Sequence, residues 1–174
     1  MKIEAFRCAT TTDAAIITKL VNNAYRPEPN KSGWTHESDL VLGDRTNTDQ
    51  IIEIILKPDS IILVGLCGDL IVGCVHVQKD HHNSYIGMLA VDPTLQGLGT
   101  GKKILTYAEK YATDHFHAEK FVMVVVSDRH ELISFYERRG YQKTGEVMEY
   151  PLSAGVGTPK QLNLKIEVLE KLNL

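Results

Sequence analysis

The chain has 174 residues, and at ~100–200 residues per domain that suits one domain spanning 1–174. Its composition, 43% apolar and 24% charged with 13 Gly and 6 Pro, excludes collagen, coiled coil and wholesale disorder. A net charge of −3, from 19 Lys+Arg against 22 Asp+Glu, lacks the basic excess of a chain that lives on phosphate backbones, so no nucleic-acid partner is expected.

The opening, Lys2 to Arg7, reads as a strand. A helix follows, capped by Thr12 or Asp13, with Ile16, Ile17, Leu20, Val21, Ala24 and Tyr25 at helical spacing. The proline-bearing stretch Arg26 to Asn30 ends it. Lys31 to Arg45 is mixed, with Trp34 and a short helix starting near Thr35. A further helix opens at Thr48-Asp49, turns Ile51, Ile52, Ile55 and Leu56 inward, and stops at Pro58. Ile61 to Cys67 and Leu70 to Gln78 form a hairpin across Gly68-Asp69. Tyr85 to Val91 is the next strand, broken by Asp92-Pro93.

A glycine-rich turn leads into a helix from Gly101 to Phe116, with Ile104, Leu105, Ala108, Tyr111 and Ala112 inward. Phe121 to Val126 is almost wholly β-branched, as in a strand buried on both faces. Glu131 to Arg139 is a short helix ended by Gly140, and Tyr141 to Glu149 is a strand. Pro151 to Pro159 is a loop, and Leu162 to Leu169 is the last strand. The order predicts an α/β (α+β) fold: one mixed, mostly antiparallel sheet of about seven strands flanked by helices.

The cysteines Cys8, Cys67 and Cys74 are odd in number, form no CxxC pair and lie in apolar stretches. Small buried thiols in a reduced, cytoplasmic protein fit that pattern. The start, Met1-Lys2-Ile3-Glu4, lacks the apolar core of a signal peptide. No apolar run approaches the ~20 residues of a membrane span, so no membrane partner is expected. The histidines show no ligand spacing, and no metal is expected.

Chemistry concentrates in Tyr85 to Lys103. There an apolar strand runs into Gln96-Gly97-Leu98-Gly99-Thr100-Gly101 and a helix begins at once. Glycines let the backbone turn tightly and present its N–H groups. The helix start adds unpaired donors and about half a positive charge, which together cradle an anion such as phosphate. A glycine corner without a ligand is the plainer alternative. Two phosphate motifs fail on spacing. Gly97 and Gly101 have three residues between them where a P-loop has four, and Lys103 takes its hydroxyl position. A dinucleotide fingerprint would place Lys102 or Ile104 at its third glycine.

Gln96-x-x-Gly99-x-Gly101 after a strand, followed one strand later by Tyr136-Glu137-x-x-Gly140-Tyr141, resembles the GNAT superfamily of acetyl-CoA-dependent N-acetyltransferases. The resemblance covers nearly the whole chain. It implies acetyl-CoA as cosubstrate, with its pyrophosphate on the amides of Gln96, Gly97, Leu98, Gly99, Thr100, Gly101 and Lys102. The pantetheine arm would pair with Leu89, Ala90 and Val91. The thioester would lie in a splay between the strands near 85–91 and 121–127.

Acetyl transfer to an amine needs the neutral nucleophile, a polarised carbonyl and a proton for the leaving thiolate. A tyrosine hydroxyl of pKa ~10 lies within reach of a thiol of pKa ~8.5, and Tyr136 matches the family's tyrosine beside the sulfur. Packing in the core is the alternative for Tyr136. Where some members carry a glutamate base, eleven residues before Gln96, this chain has Tyr85. Glu37, Glu53 and His76 are other bases without a spacing argument, and a water relay or selection of the neutral amine serves equally.

Arg129 stands seven residues before Tyr136, where many members have an asparagine. Tyr25, Arg26 and Trp34 lie between the first helices, where the resembling family builds its acceptor pocket; the two rings there hold an amine by cation–π contact or simply cap the sheet, and Tyr85 reads the same two ways as a substrate-binding residue. The expected activity is acetyl transfer from acetyl-CoA to a primary amine, on a small molecule or a peptide, by a monomer or homodimer. A non-catalytic acyl-CoA-binding module is the rival, and it has no use for Tyr136.

Overall fold

The computed structural model describes residues 2–26, 40–151, 154–160 and 164–174. The expected helix near Thr35, Trp34 and Glu37 lie outside these residues. The chain runs β1 (Ala5–Cys8), α1 (Ala14–Tyr25), β2 (Val41–Leu42), α2 (Thr48–Leu56), β3 (Ser60–Cys67), β4 (Leu70–Asp80) and β5 (Asn83–Val91). It continues through α3 (Thr100–Phe116), β6 (Lys120–Val126), α4 (His130–Glu137), β7 (Gln142–Glu149), β8 (Thr158–Pro159) and β9 (Lys165–Leu172). Seven strands form one sheet in the order β1-β3-β4-β5-β6-β9-β7, and β2 pairs with β8 in a small second sheet. Every pair is antiparallel except β5 with β6. The expected mixed, mostly antiparallel sheet is therefore found.

Two apolar clusters cover the sheet. Ile17, Val21 and Ala24 of α1 and Ile51 of α2 pack on Ile62, Val64, Cys74 and Ala90. Ile104, Leu105, Ala108 and Ala112 of α3 pack with Leu63, Val75, Phe121 and Leu169. Period-3.6 stripes on these helices make this burial possible, but the α2 stripe is narrower than expected: Leu56, read as inward, is 68% exposed. A glycine on β4 brings α3 close: a Cβ on Gly73 would stand 2.4 Å from Ile104 Cδ1 and 3.2 Å from the Ala90 carbonyl.

Several expectations need correction. The first strand begins at Ala5 rather than Lys2, and the last is shifted to Lys165–Leu172. The β2–β8 pair arises inside stretches that read as irregular. Cys8 is exposed and Cys67 half-buried, so Cys74 alone is a buried thiol. β6 is not buried on both faces: Val124 is 37% exposed. Beyond Tyr85 its parallel ladder to β5 stops, and the side chain there faces a cavity instead of a strand.

Candidate active site

The glycine turn closes the end of β5. Asp92 accepts from the Thr94 amide (2.9 Å) and begins a one-turn helix. Gln96 donates from its side chain to the Val91 carbonyl at 3.2 Å, tying the turn back to the strand. Gly97 and Gly99 have φ of +84° and +76°, a region that a Cβ disfavours. Gly99 caps α3, so the free amides of the first helical turn open beside it. A cavity of about 650 Å³ lies here, lined by Val91, Gln96, Gly97, Gly99, Gly101 and Lys102, with His130, Ser134 and Phe135 of α4 and Arg138 just after it opposite.

Of the ten residues expected to hold the coenzyme, six line this cavity. The other four are placed differently. Leu98 points its side chain to solvent, and Thr100 is buried with its hydroxyl donating to the Leu95 carbonyl (3.3 Å). Leu89 and Ala90 are buried in the strand. Lys103 turns away altogether and donates to the Ile3 carbonyl at 2.6 Å, so Lys102 is the lysine that faces the cavity.

The expected splay is present, and a bulge produces it. The β4–β5 register shifts between Cys74 and His76, and Met88 within it has φ +49°. An extra residue on one strand bends it and ends local pairing. β5 and β6 pair only over Asn83–Tyr85 with Lys120–Val122 and then part. Between them is a cavity of about 260 Å³ that gathers Tyr25, Arg45, Tyr85, Met88, Met123, Val124, Arg129, Leu132 and Tyr136. Three expected site residues, Tyr25, Tyr85 and Tyr136, thus converge from three separate elements. Helix α4 faces both cavities, Ser134 and Phe135 toward one and Leu132 and Tyr136 toward the other.

Each ring is held. Tyr25 donates its hydroxyl to the Leu89 carbonyl at 2.9 Å, on the strand where it leaves its partner. Tyr136 meets Phe135 and Tyr141 edge-on. Burial raises its pKa well above the ordinary tyrosine range, Tyr25 and Tyr85 push the same way, and Arg129 opposes. Tyr85 is likewise raised by burial, with Arg45 opposing.

A smaller cavity of about 220 Å³ adjoins, sharing Arg45, Tyr85 and Met88 and adding Glu53 and His76. Burial, then the charges of Lys57 and Arg45, lowers the His76 pKa to about 4. Ser60 donates its hydroxyl to the Ile54 carbonyl (2.9 Å), so at 2.9 Å from His76 Nε2 the serine oxygen accepts. That assigns the proton to Nε2 and leaves Nδ1 as an acceptor.

Sequence reading missed Arg45 and Arg129 as cavity residues. Arg129, which stands where many members of the resembling family have an asparagine, lines the cavity between β5 and β6. Arg45 lies in a segment without periodicity and carries no local signal. Arg26, beside Tyr25, is a staple in the wall: it donates to the carbonyls of Gly43 (2.8 Å) and Val156 (2.9 Å) and to the Tyr150 hydroxyl (3.1 Å).

The family model described as Acetyltransferase (GNAT) family matches residues 19–141. The chain is similar to the S-alkylcysteine N-acetyltransferase of Bacillus subtilis, at 26% identity over 151 residues that span 82% of this chain and 80% of the relative. In fold it is similar to a Streptococcus mutans protein, with a TM-score of 0.73 at 16% identity, covering 97% of this chain and 99% of the other. A Bacillus anthracis protein solved in complex with acetyl coenzyme A gives a TM-score of 0.56 at 21% identity, covering 70% of this chain and 67% of that one.

Proposed function

The chain belongs to the acetyltransferase (GNAT) family, whose cosubstrate is acetyl-CoA, and from that premise we propose that it transfers acetyl from acetyl-CoA to a primary amine by direct attack in a ternary complex. The observation that carries this reading is α4, which faces the glycine-loop cavity on one side and presents Tyr136 to the strand splay on the other. A ligand with phosphates at one end and a thioester at the other fits that arrangement.

In this reading the amides of Gln96–Lys102 and the start of α3 hold the pyrophosphate, and Lys102 adds charge. The pantetheine arm runs along Leu89, Ala90 and Val91. The acceptor, flanked by Tyr25 and Tyr85, offers its nitrogen lone pair to the thioester carbonyl. A C–N bond forms and the C–S bond breaks. Tyr136 gives its proton to the departing thiolate, and the nitrogen loses one proton to water or to a neighbouring base.

The test is ligand-linked stability followed by turnover. Acetyl-CoA at 100 times its Kd should stabilise the protein by about 2.7 kcal/mol, and Gly101→Glu should abolish this. A carboxylate in the first turn of α3 suits the helix dipole but repels phosphate, so this variant should fold. No stabilisation of the wild type near millimolar acetyl-CoA would sink the reading. Stabilisation without thiol release on any amine would favour a binding module.

A further inference from the structure

The cavity beside the glycine turn carries more cationic side chains than a pyrophosphate seated on the loop amides needs. Among its described lining residues are Lys102, Arg138 and Arg139, with Glu131 as the single acid. No carboxylate of the described residues lies within ion-pair distance of any of the three cations. Lys102 stands in the first turn of α3 and belongs with the loop. The arginines follow the end of α4, about one helical turn beyond Ser134 and Phe135 on the opposite wall.

Arg139 is half-buried. Its guanidinium carbon lies 4.0 Å from the centre of the Phe135 ring, and Nη1 donates to the Phe135 carbonyl at 3.1 Å. A cation at a helix C-terminus is favourable in itself, and that contact accounts for Nη1. It leaves Nε, which is buried, without an acceptor. A buried donor without a partner is costly, so an acceptor entering the cavity would satisfy a side chain that the protein alone does not. Arg138, exposed beside it, makes no side-chain hydrogen bond or ion pair among the described residues.

Coenzyme A carries a phosphomonoester on its ribose 3′ oxygen as well as its pyrophosphate. Such a group bears a charge of about −1.5 to −2 near neutrality and offers three acceptor oxygens. Guanidinium forks match phosphate oxygens in pairs, where a lysine supplies only a point charge. Two forks on adjacent residues, one of them held against Phe135, suit that group. The ribose separates it from the pyrophosphate, as the cavity separates Arg138 and Arg139 from the loop amides.

We propose that Arg138 and Arg139 hold the 3′-phosphate of the coenzyme, so that the chain distinguishes CoA from its 3′-dephospho analogue. The inference rests on the acetyl-transfer reading of this site and deepens it to one group of the cosubstrate.

Calorimetric titration of the protein with CoA and with 3′-dephospho-CoA tests it. CoA should bind about tenfold to a hundredfold more tightly, the scale of hydrogen bonds between charged groups. Arg138→Gln should cut that ratio severalfold, and the double variant Arg138→Gln, Arg139→Gln should bring it close to one, the loss falling on CoA. Arg139→Lys, which keeps the charge and loses the fork, should retain part of it. Melting without ligand reports whether each variant folds; if those at Arg139 do not, Arg138→Gln decides alone. The proposal is overturned if the wild type binds both coenzymes equally, or if Arg138→Gln or the folded double variant leaves the ratio intact. Either result, with CoA still bound, brings down this inference alone. Failure of both coenzymes to bind near millimolar concentration brings down the acetyl-transfer reading.

Discussion

Tyr136 holds its proton firmly, because burial disfavours the phenolate more than Arg129 can restore it. A hydroxyl in that state acts as donor rather than base throughout the neutral range. In the proposed transfer it donates to the departing thiolate, whose own pKa of ~8.5 in water is raised by the same burial. Tyr136→Phe keeps the ring that packs against Phe135 and Tyr141 and deletes only the proton. It should lower kcat by about 10²–10⁴ with little change in acetyl-CoA affinity, measured by steady-state kinetics and equilibrium titration. Unchanged kcat with chemistry rate-limiting would assign Tyr136 to packing. Its place on the splay was legible because Tyr136-Glu137-x-x-Gly140-Tyr141 is a local segment that matches the resembling family's motif. Arg45 and Arg129 were not legible as cavity partners, since only the fold brings them to the Tyr25 ring.

Among the elements, the strand–glycine–helix corner was the most legible, and its geometry adds a distinction the sequence lacks. A Cβ on Gly97 or Gly99 would meet nothing within 4 Å, so neither glycine is there to avoid a clash. Their positive φ is the reason. A left-handed conformation costs an ordinary L-residue about 1–2 kcal/mol, and relief of that strain would turn the α3 amides away from the cavity. Gly99→Ala should therefore lower stability by roughly 1 kcal/mol and weaken acetyl-CoA binding, both read by thermal melts with and without ligand. Leu98→Ala, trimming a 68% exposed side chain, should change neither. The bulge that opens the site left no such trace. Tyr85 to Val91 reads as a plain strand, because Met88 adopts positive φ without being glycine. Likewise the two-residue β2 and β8 are too short for any period to register.

For the molecule as a whole, the groups bordering the site make folding sensitive to acid. His76 is 8% exposed and its pKa falls to about 4, from burial first and then the charges of Lys57 and Arg45. The unfolded chain binds this proton near pH ~6.5, whereas the folded protein resists it down to about pH 4. The unfolded state therefore holds more protons across that window. The stability is complete above the upper limit and is lost as pH falls. A gap of about 2.5 pH units corresponds to roughly 3 kcal/mol, a large share of the ~5–15 kcal/mol that holds a domain together. Asp13 acts in the same direction but lower in pH. Its hydrogen bond from Arg7 holds the carboxylate below its usual range, so its contribution fades only as that carboxylate protonates. Urea unfolding should therefore show stability falling between pH 6.5 and 4 by about 3 kcal/mol. His76→Gln, whose amide can still donate to Ser60, should flatten that limb and leave the steeper loss below pH 4. An unchanged limb in the variant would transfer the acid sensitivity to the carboxylates.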